Sequence, residues 1–280
     1  MRNEEKLGSP IEPSSRSRNN PPPPTNNILS FPTPTEFVEL PSGGLYYLKE
    51  HRLHGVDKIE IKMMTAKEED ILLNESYLRQ GVAIDKLLQS VIVDKTIRLG
   101  DLLIGDKNAL LFATRISGLG PEYRVKLSCA ICNASDEENF DLASLGHKVI
   151  SSDEEIVKTE NGTFMITLPT TKLQIEFKIL DGNSEKSLDE TVKKRKKYKM
   201  PEDKLLYMME MMVVSINGVD NRSQIKLCLE KIPASDCRYL RKSYEQVSPD
   251  MELGFDHTCS SCGITQEVTL PLTADFFWSK

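Results

Sequence analysis

The sequence predicts an α+β fold: a split, zinc-ribbon-like pair of β-hairpins, with helical segments before and between its two halves and a disordered arm in front. Three observations predict it. Two Cys-x-x-Cys hooks, Cys129-Ala-Ile-Cys132 and Cys259-Ser-Ser-Cys262, each lie between extended, alternating runs. Lys58-Ile-Glu-Ile-Lys62 and the stretches 163–168 and 173–179 alternate with the period of half-buried antiparallel strands. The intervening segments carry apolar residues at helical spacing behind helix-start signals.

Taken in order, residues 1–35 form a Pro- and Asn-rich arm, with Pro21-Pro-Pro-Pro24, Asn19-Asn20 and Asn26-Asn27. Such a segment buries too little apolar surface to offset its ordering entropy, so a disordered tail is expected. A strand-turn and helical region follows at 36–120. Pro41-Ser-Gly-Gly44 reads as a turn, and Leu45-Tyr-Tyr-Leu48 and Lys58–Lys62 as short strands. Thr65-Ala-Lys-Glu68 is a capping box, in which hydroxyl and carboxylate satisfy the open N–H groups of a first helical turn. The helix behind it carries Ile71, Leu72, Tyr77 and Leu78. A second, from Asp85, buries Leu87, Leu88, Val91 and Ile92. A third is capped by Asp106, turns Leu110, Leu111, Ala113 and Ile116 to the core, and stops at Gly118 and Gly120.

The last region, 121–280, holds the paired hairpins and inserted helices. The acidic runs Asp136-Glu-Glu138 and Asp153-Glu-Glu155 lack calcium-loop spacing and read as solvated loops. Lys193-Lys-Arg-Lys-Lys197 reads as a solvated helix end or a contact for an acidic partner. Pro201 suits the first position of a helix running through the methionines of 208–212 to Ile216. Shorter helices are expected at 222–231 and 236–247. The C-terminal Asp275-Phe-Phe-Trp278 either anchors in a partner or folds back on its own core.

The hooks carry the chemistry. Two of them supply four sulfurs, the number a closed structural Zn²⁺ site takes, so Cys129, Cys132, Cys259 and Cys262 are the candidate ligands. With 126 residues between Cys132 and Cys259, the gap is far longer than in common zinc motifs, while the matched flanks favour one joint site. The alternatives are a disulfide within each hook, separate redox pairs, His257 in place of one sulfur, or iron among four thiolates. Cys228 and Cys237, alone on helices, read as small buried apolar residues.

Composition removes several classes of function. The 42 acidic against 36 basic residues give −6, with no electrostatic case for nucleic acid or an anionic membrane. No apolar run is long enough to span a bilayer, and no signal-peptide core opens the chain. Six cysteines, four in CxxC pairs, suit a reducing compartment. No HExxH, nucleophile elbow or dinucleotide loop occurs, so an enzyme is not expected.

A further set of residues occurs in a defined order. It runs from Leu40-Pro-Ser-Gly43 through Met64-Thr-Ala-Lys-Glu-Glu-Asp-Ile-Leu72, Leu87-Leu88, Gly105-Asp106, Arg115-Ile116 and Gly120-Pro-Glu-Tyr123. The two hooks and Leu270-Pro-Leu-Thr-Ala-Asp-Phe-Phe-Trp278 complete it. From about residue 37 onward the chain resembles the baseplate hub proteins and hub assembly proteins of T4-like tailed bacteriophages. The resemblance implies a non-enzymatic role in building the contractile-tail baseplate, in contact with other hub proteins. It places the protein in the host cytoplasm during assembly and in the virion tail if it is retained. A zinc-ribbon nucleic-acid binder using 193–197 is the second reading.

Overall fold

A computed structural model describes residues 32–148, 150, 155–270 and 276–277. The chain divides into Met1–Thr33 and Pro34–Lys280, and the elements described belong to the second unit. The expected arm falls almost wholly outside the described residues, as do Asp153, Glu154, Asp275 and Trp278.

β1 (Thr35–Glu39) pairs antiparallel with β2 (Lys58–Lys62), and their alternation buries Val38, Ile59 and Ile61. The strand expected at 45–48 is instead a series of turns. Gly43 and Gly44 adopt left-handed φ of 54° and 72°, and a Cβ on Gly44 would stand 2.4 Å from the Val56 backbone nitrogen. That reversal spends the two tyrosines on separate tasks. Tyr46 stacks on Phe164, and Tyr47 sends its hydroxyl to Asp106 at 2.6 Å.

The capping box is present at the start of α1 (Ala66–Leu73). Glu68 is buried and accepts from Lys62 at 2.8 Å, Ser90 at 2.6 Å and Thr65 at 2.5 Å. Burial alone would raise its pKa; these donors outweigh it and hold the group down to about 2. The single helix expected over 66–78 is broken at Asn74, whose side chain accepts from Tyr77 N and caps α2 (Glu75–Gln80). α3 (Ala83–Val91) begins two residues before Asp85, and Leu87, Leu88, Val91 and Ile92 are all buried.

α4 (Ile104–Leu119) comes next. It starts before Asp106, which is therefore no cap. The Asp106 carboxylate is buried and accepts from Ser42 N at 3.0 Å, Ser42 Oγ at 2.6 Å and Tyr47 Oη. Burial pushes its pKa up. Gly105 is needed because a Cβ there would lie 1.9 Å from the Pro249 carbonyl oxygen. The buried face of α4 is Ala109, Leu110, Phe112, Thr114 and Arg115; Leu111, Ala113 and Ile116 are only half-buried. The helix runs past Gly118, which lies against Met64, and ends at Gly120. Arg115 donates to the carbonyls of Phe276 at 2.9 Å, Gly120 at 2.6 Å and Glu122 at 3.0 Å. Phe276 packs edge-on to Phe112 and Tyr123. Of the two expectations for the C-terminal aromatics, folding back therefore holds for Phe276 and Phe277, both buried.

The hairpin strands β3 (Glu122–Ser128) and β4 (Ser135–Asp141) follow. A four-stranded antiparallel sheet then forms in the order β5 (Val157–Lys158), β6 (Phe164–Thr167), β7 (Gln174–Phe177) and, after two helices, β8 (Val213–Ile216). Phe164, Ile166, Ile175 and Phe177 face the core, as the alternation predicts. The helices are α5 (Gly182–Lys197), capped by Asp181, and α6 (Lys204–Met212). Pro201 stands outside α6, and the long helix expected to Ile216 gives way at Val213 to β8. Its β-branched Val-Val-Ser-Ile pairs with β7 and closes the sheet. Asn221 caps α7 (Arg222–Leu229). In α8 (Ala234–Val247), Asp236 accepts from Thr170 N and Thr171 N, both at 2.9 Å. β9 (Gly254–Thr258) and β10 (Thr265–Thr269) form the second hairpin. One continuous core joins these elements, from Val38 to Phe277.

Candidate metal centre

Each hook is built by the same local chemistry. The β3–β4 ladder ends at Ser128↔Ser135 and the β9–β10 ladder at Thr258↔Thr265. In the first tip Cys129 N donates to Ala134 O at 2.8 Å, and Asn133 N returns to Cys129 O at 3.0 Å. In the second, Cys259 N donates to Ile264 O at 3.0 Å and Gly263 N to Cys259 O at 2.9 Å. Both turns close through a left-handed residue, Asn133 at φ 57° and Gly263 at φ 70°. Asn and Gly are the residues that tolerate this region at least cost.

The two tips meet. Cys129 Sγ lies 3.7 Å from Cys262 Sγ, and Cys132 Sγ lies 3.6 Å from Cys259 Sγ. All four sulfurs fall within 4.8 Å of one another, and all six cysteines of the chain are free thiols, so neither hook is an internal disulfide. Four thiolates at about 2.3 Å around a tetrahedral ion would stand about 3.8 Å apart. The set therefore fits a four-sulfur centre. Cys129 and Cys259 are buried and Cys132 and Cys262 exposed, so the tips hold the sulfurs between the hairpins and one edge meets water.

The electrostatics point the same way. The N–H groups of Cys132 and Ile131 aim at Cys129 Sγ and pull its pKa down to about 6. The N–H of Ala134 favours the Cys132 thiolate too, yet desolvation and the neighbouring sulfurs prevail and push it up to about 12. Four adjacent thiols cannot all ionise against one another; a cation among them removes that conflict.

A second set of contacts joins the hairpins without any ion. Asp136 and Glu138, two apart on one face of β4, meet His257 of β9: Nε2 is 3.1 Å from Asp136 and Nδ1 3.1 Å from Glu138. Asp136 also accepts from Ser260 N at 3.0 Å and from Ser260 Oγ. Ala130 N donates to Gln266 Oε1 at 3.3 Å, and Phe140 packs edge-on to Phe255 with centroids 4.3 Å apart. The reading of 136–138 as a solvated loop is thus corrected: they lie in β4, and Asp136 ties the second knuckle to the first hairpin. His257 has both ring nitrogens on carboxylates, not on the sulfurs. The available signal was alternation alone, Asp136-x-Glu138-x-Phe140 facing Phe255-x-His257.

Cys228 and Cys237, expected to be buried, are only half-buried on α7 and α8, and they stand apart from the cluster. Among the described residues no helix is long and apolar enough to cross a membrane.

Fold and site together define an α+β protein in which two cysteine-bearing hairpins meet. No curated protein and no solved structure matches it. A family model does: residues 33–278 match the T4 bacteriophage base plate protein family, and the chain belongs to that family. It is a phage baseplate protein.

Proposed function

We propose that the protein is a non-enzymatic structural or assembly component of the baseplate hub, and that Cys129, Cys132, Cys259 and Cys262 bind one structural Zn²⁺ between them. The observation that carries the metal reading is the convergence of four sulfurs within 4.8 Å from hooks far apart in sequence. Such an ion has no ligand position left for water, so it supplies folding energy rather than chemistry. Family membership supports work by contact with other tail proteins. The hub location rests on the ordered set of residues from Leu40 to Trp278 in which the chain resembles hub proteins.

The test is a tagged pull-down from infected cells, with nuclease treatment and mass spectrometry. Nuclease-resistant recovery of hub proteins is the expected result. Recovery only of nucleic-acid-associated proteins, lost on nuclease treatment, would overturn the hub reading.

A further inference from the structure

We infer that the end of α5 and the loop from Tyr198 to Lys204 form a docking surface for an acidic partner protein. Lys194, Lys196, Lys197 and Lys199 stand exposed, and none forms an ion pair among the described residues. Among them project Tyr198, 70% exposed, and Met200, 50% exposed. Nothing in the basic run alone requires apolar side chains to be held out in water. The loop that holds them there is pinned. Lys199, at φ 55°, closes the end of α5, with Lys199 N bonded to Lys196 O at 3.1 Å and Met200 N to Arg195 O at 2.9 Å, and Asp203, at φ 43°, precedes α6.

The side chain that pins the loop beyond the helix end is Arg195. Alone in its run it turns inward, pairing with Asp203 and donating to Pro201 O at 2.5 Å and Tyr207 Oη at 3.2 Å. Its guanidinium lies 5.5 Å from the Tyr207 ring centroid. The loop is therefore ordered before any partner arrives, which removes much of the entropic cost of binding. An exposed aromatic and a methionine within a cationic rim match the anchor-and-rim arrangement of protein interfaces. The complementary surface is an apolar recess edged by carboxylates.

Nucleic acid fits less well. The chain carries −6 overall. The lysines wrap around the end of one helix rather than tracking along it, and of the two exposed anchors only Tyr198 offers a ring on which a base could stack. The inference rests on the baseplate reading only in that such proteins work through protein contacts; it is independent of the metal.

The test uses the full chain and fluorescence anisotropy with three labelled probes. These are a glutamate-rich peptide with a central leucine pair, the same peptide with serine for leucine, and an oligo-dT of equal charge. The leucine peptide should bind best. Tyr198→Ser with Met200→Ser should abolish its advantage over the serine peptide. Lys196→Glu with Lys197→Glu should weaken both peptides about tenfold or more. Arg195→Met, which keeps the lysines but frees the loop, should weaken the leucine peptide selectively. Unchanged melting temperature and metal content would show the variants folded. Equal binding by variants and parent, preference for oligo-dT, or a salt-sensitive dimer lost in the same variants would each overturn the proposal. None of these outcomes bears on whether hub proteins are recovered in the pull-down.

Discussion

Asn133 and Gly263 show how little separates the two knuckles. Each sits at the one left-handed position that lets a Cys-x-x-Cys tip close, and the first hook achieves with Asn what the second does with Gly. Asn133→Gly should be nearly neutral. Gly263→Val should cost about 1–2 kcal/mol, read as a lower denaturant midpoint at unchanged slope, because a β-branched residue is poorly accommodated there. An unchanged midpoint would mean the tip is held by other contacts. Glu68 makes a second residue-scale prediction. Its folded pKa, about 2, lies below the ordinary carboxylate value, so its contribution to stability is present above about pH 4.5 and lost as pH falls toward 2. Glu68→Gln should flatten that part of the pH–stability curve and cost about 1–3 kcal/mol at neutral pH, since Lys62, Ser90 and Thr65 lose a charged acceptor. An acid limb of the same slope in both proteins would refute the assignment.

At the scale of elements, the residues that stood out in the sequence prove to be points where distant segments are joined. Asp106 binds the Ser42 turn, and Arg115 binds the chain at Gly120, Glu122 and Phe276. Arg115→Met should cost about 2–4 kcal/mol, as three carbonyls lose their charge-assisted donor; calorimetry would check it, and a change under 1 kcal/mol would show those carbonyls reach other donors. The hairpins carry a comparable joint. A double-mutant cycle on Asp136→Ala and Ser260→Ala should give a coupling of about 1 kcal/mol in the metal-free chain; strict additivity would show that the Ser260 hydroxyl adds nothing to the latch. These elements differ in how far they could be read in advance. The hooks, the capping box at Thr65, the buried set of α3 and the alternation of β6 and β7 were legible because each is a local rule applied to consecutive residues. The 45–48 turns, the break at Val213 and the phase of α4 were not. In each, a contact from elsewhere decides: Asp106 for Tyr47, β7 for Val213, and the carbonyls of 120, 122 and 276 for Arg115. Asp136 was misread for the same reason, since its partners His257 and Ser260 lie more than a hundred residues away.

For the molecule as a whole, the proposed ion would join the first hook to the second and so close a fold whose last strands are otherwise tied to β4 by side-chain contacts. Metal release should then lower the melting temperature of the entire unit, because binding energy is folding energy in such a centre. The most direct test is metal content per chain, by elemental mass spectrometry for zinc and iron, in the parent protein and in two double variants, Cys129→Ser/Cys132→Ser and Cys259→Ser/Cys262→Ser. One zinc per chain is expected in the parent and none in either variant, with the same loss of melting temperature in both. Retention of bound metal by either variant, or a metal-free parent with an unchanged melt in both, would contradict a shared centre.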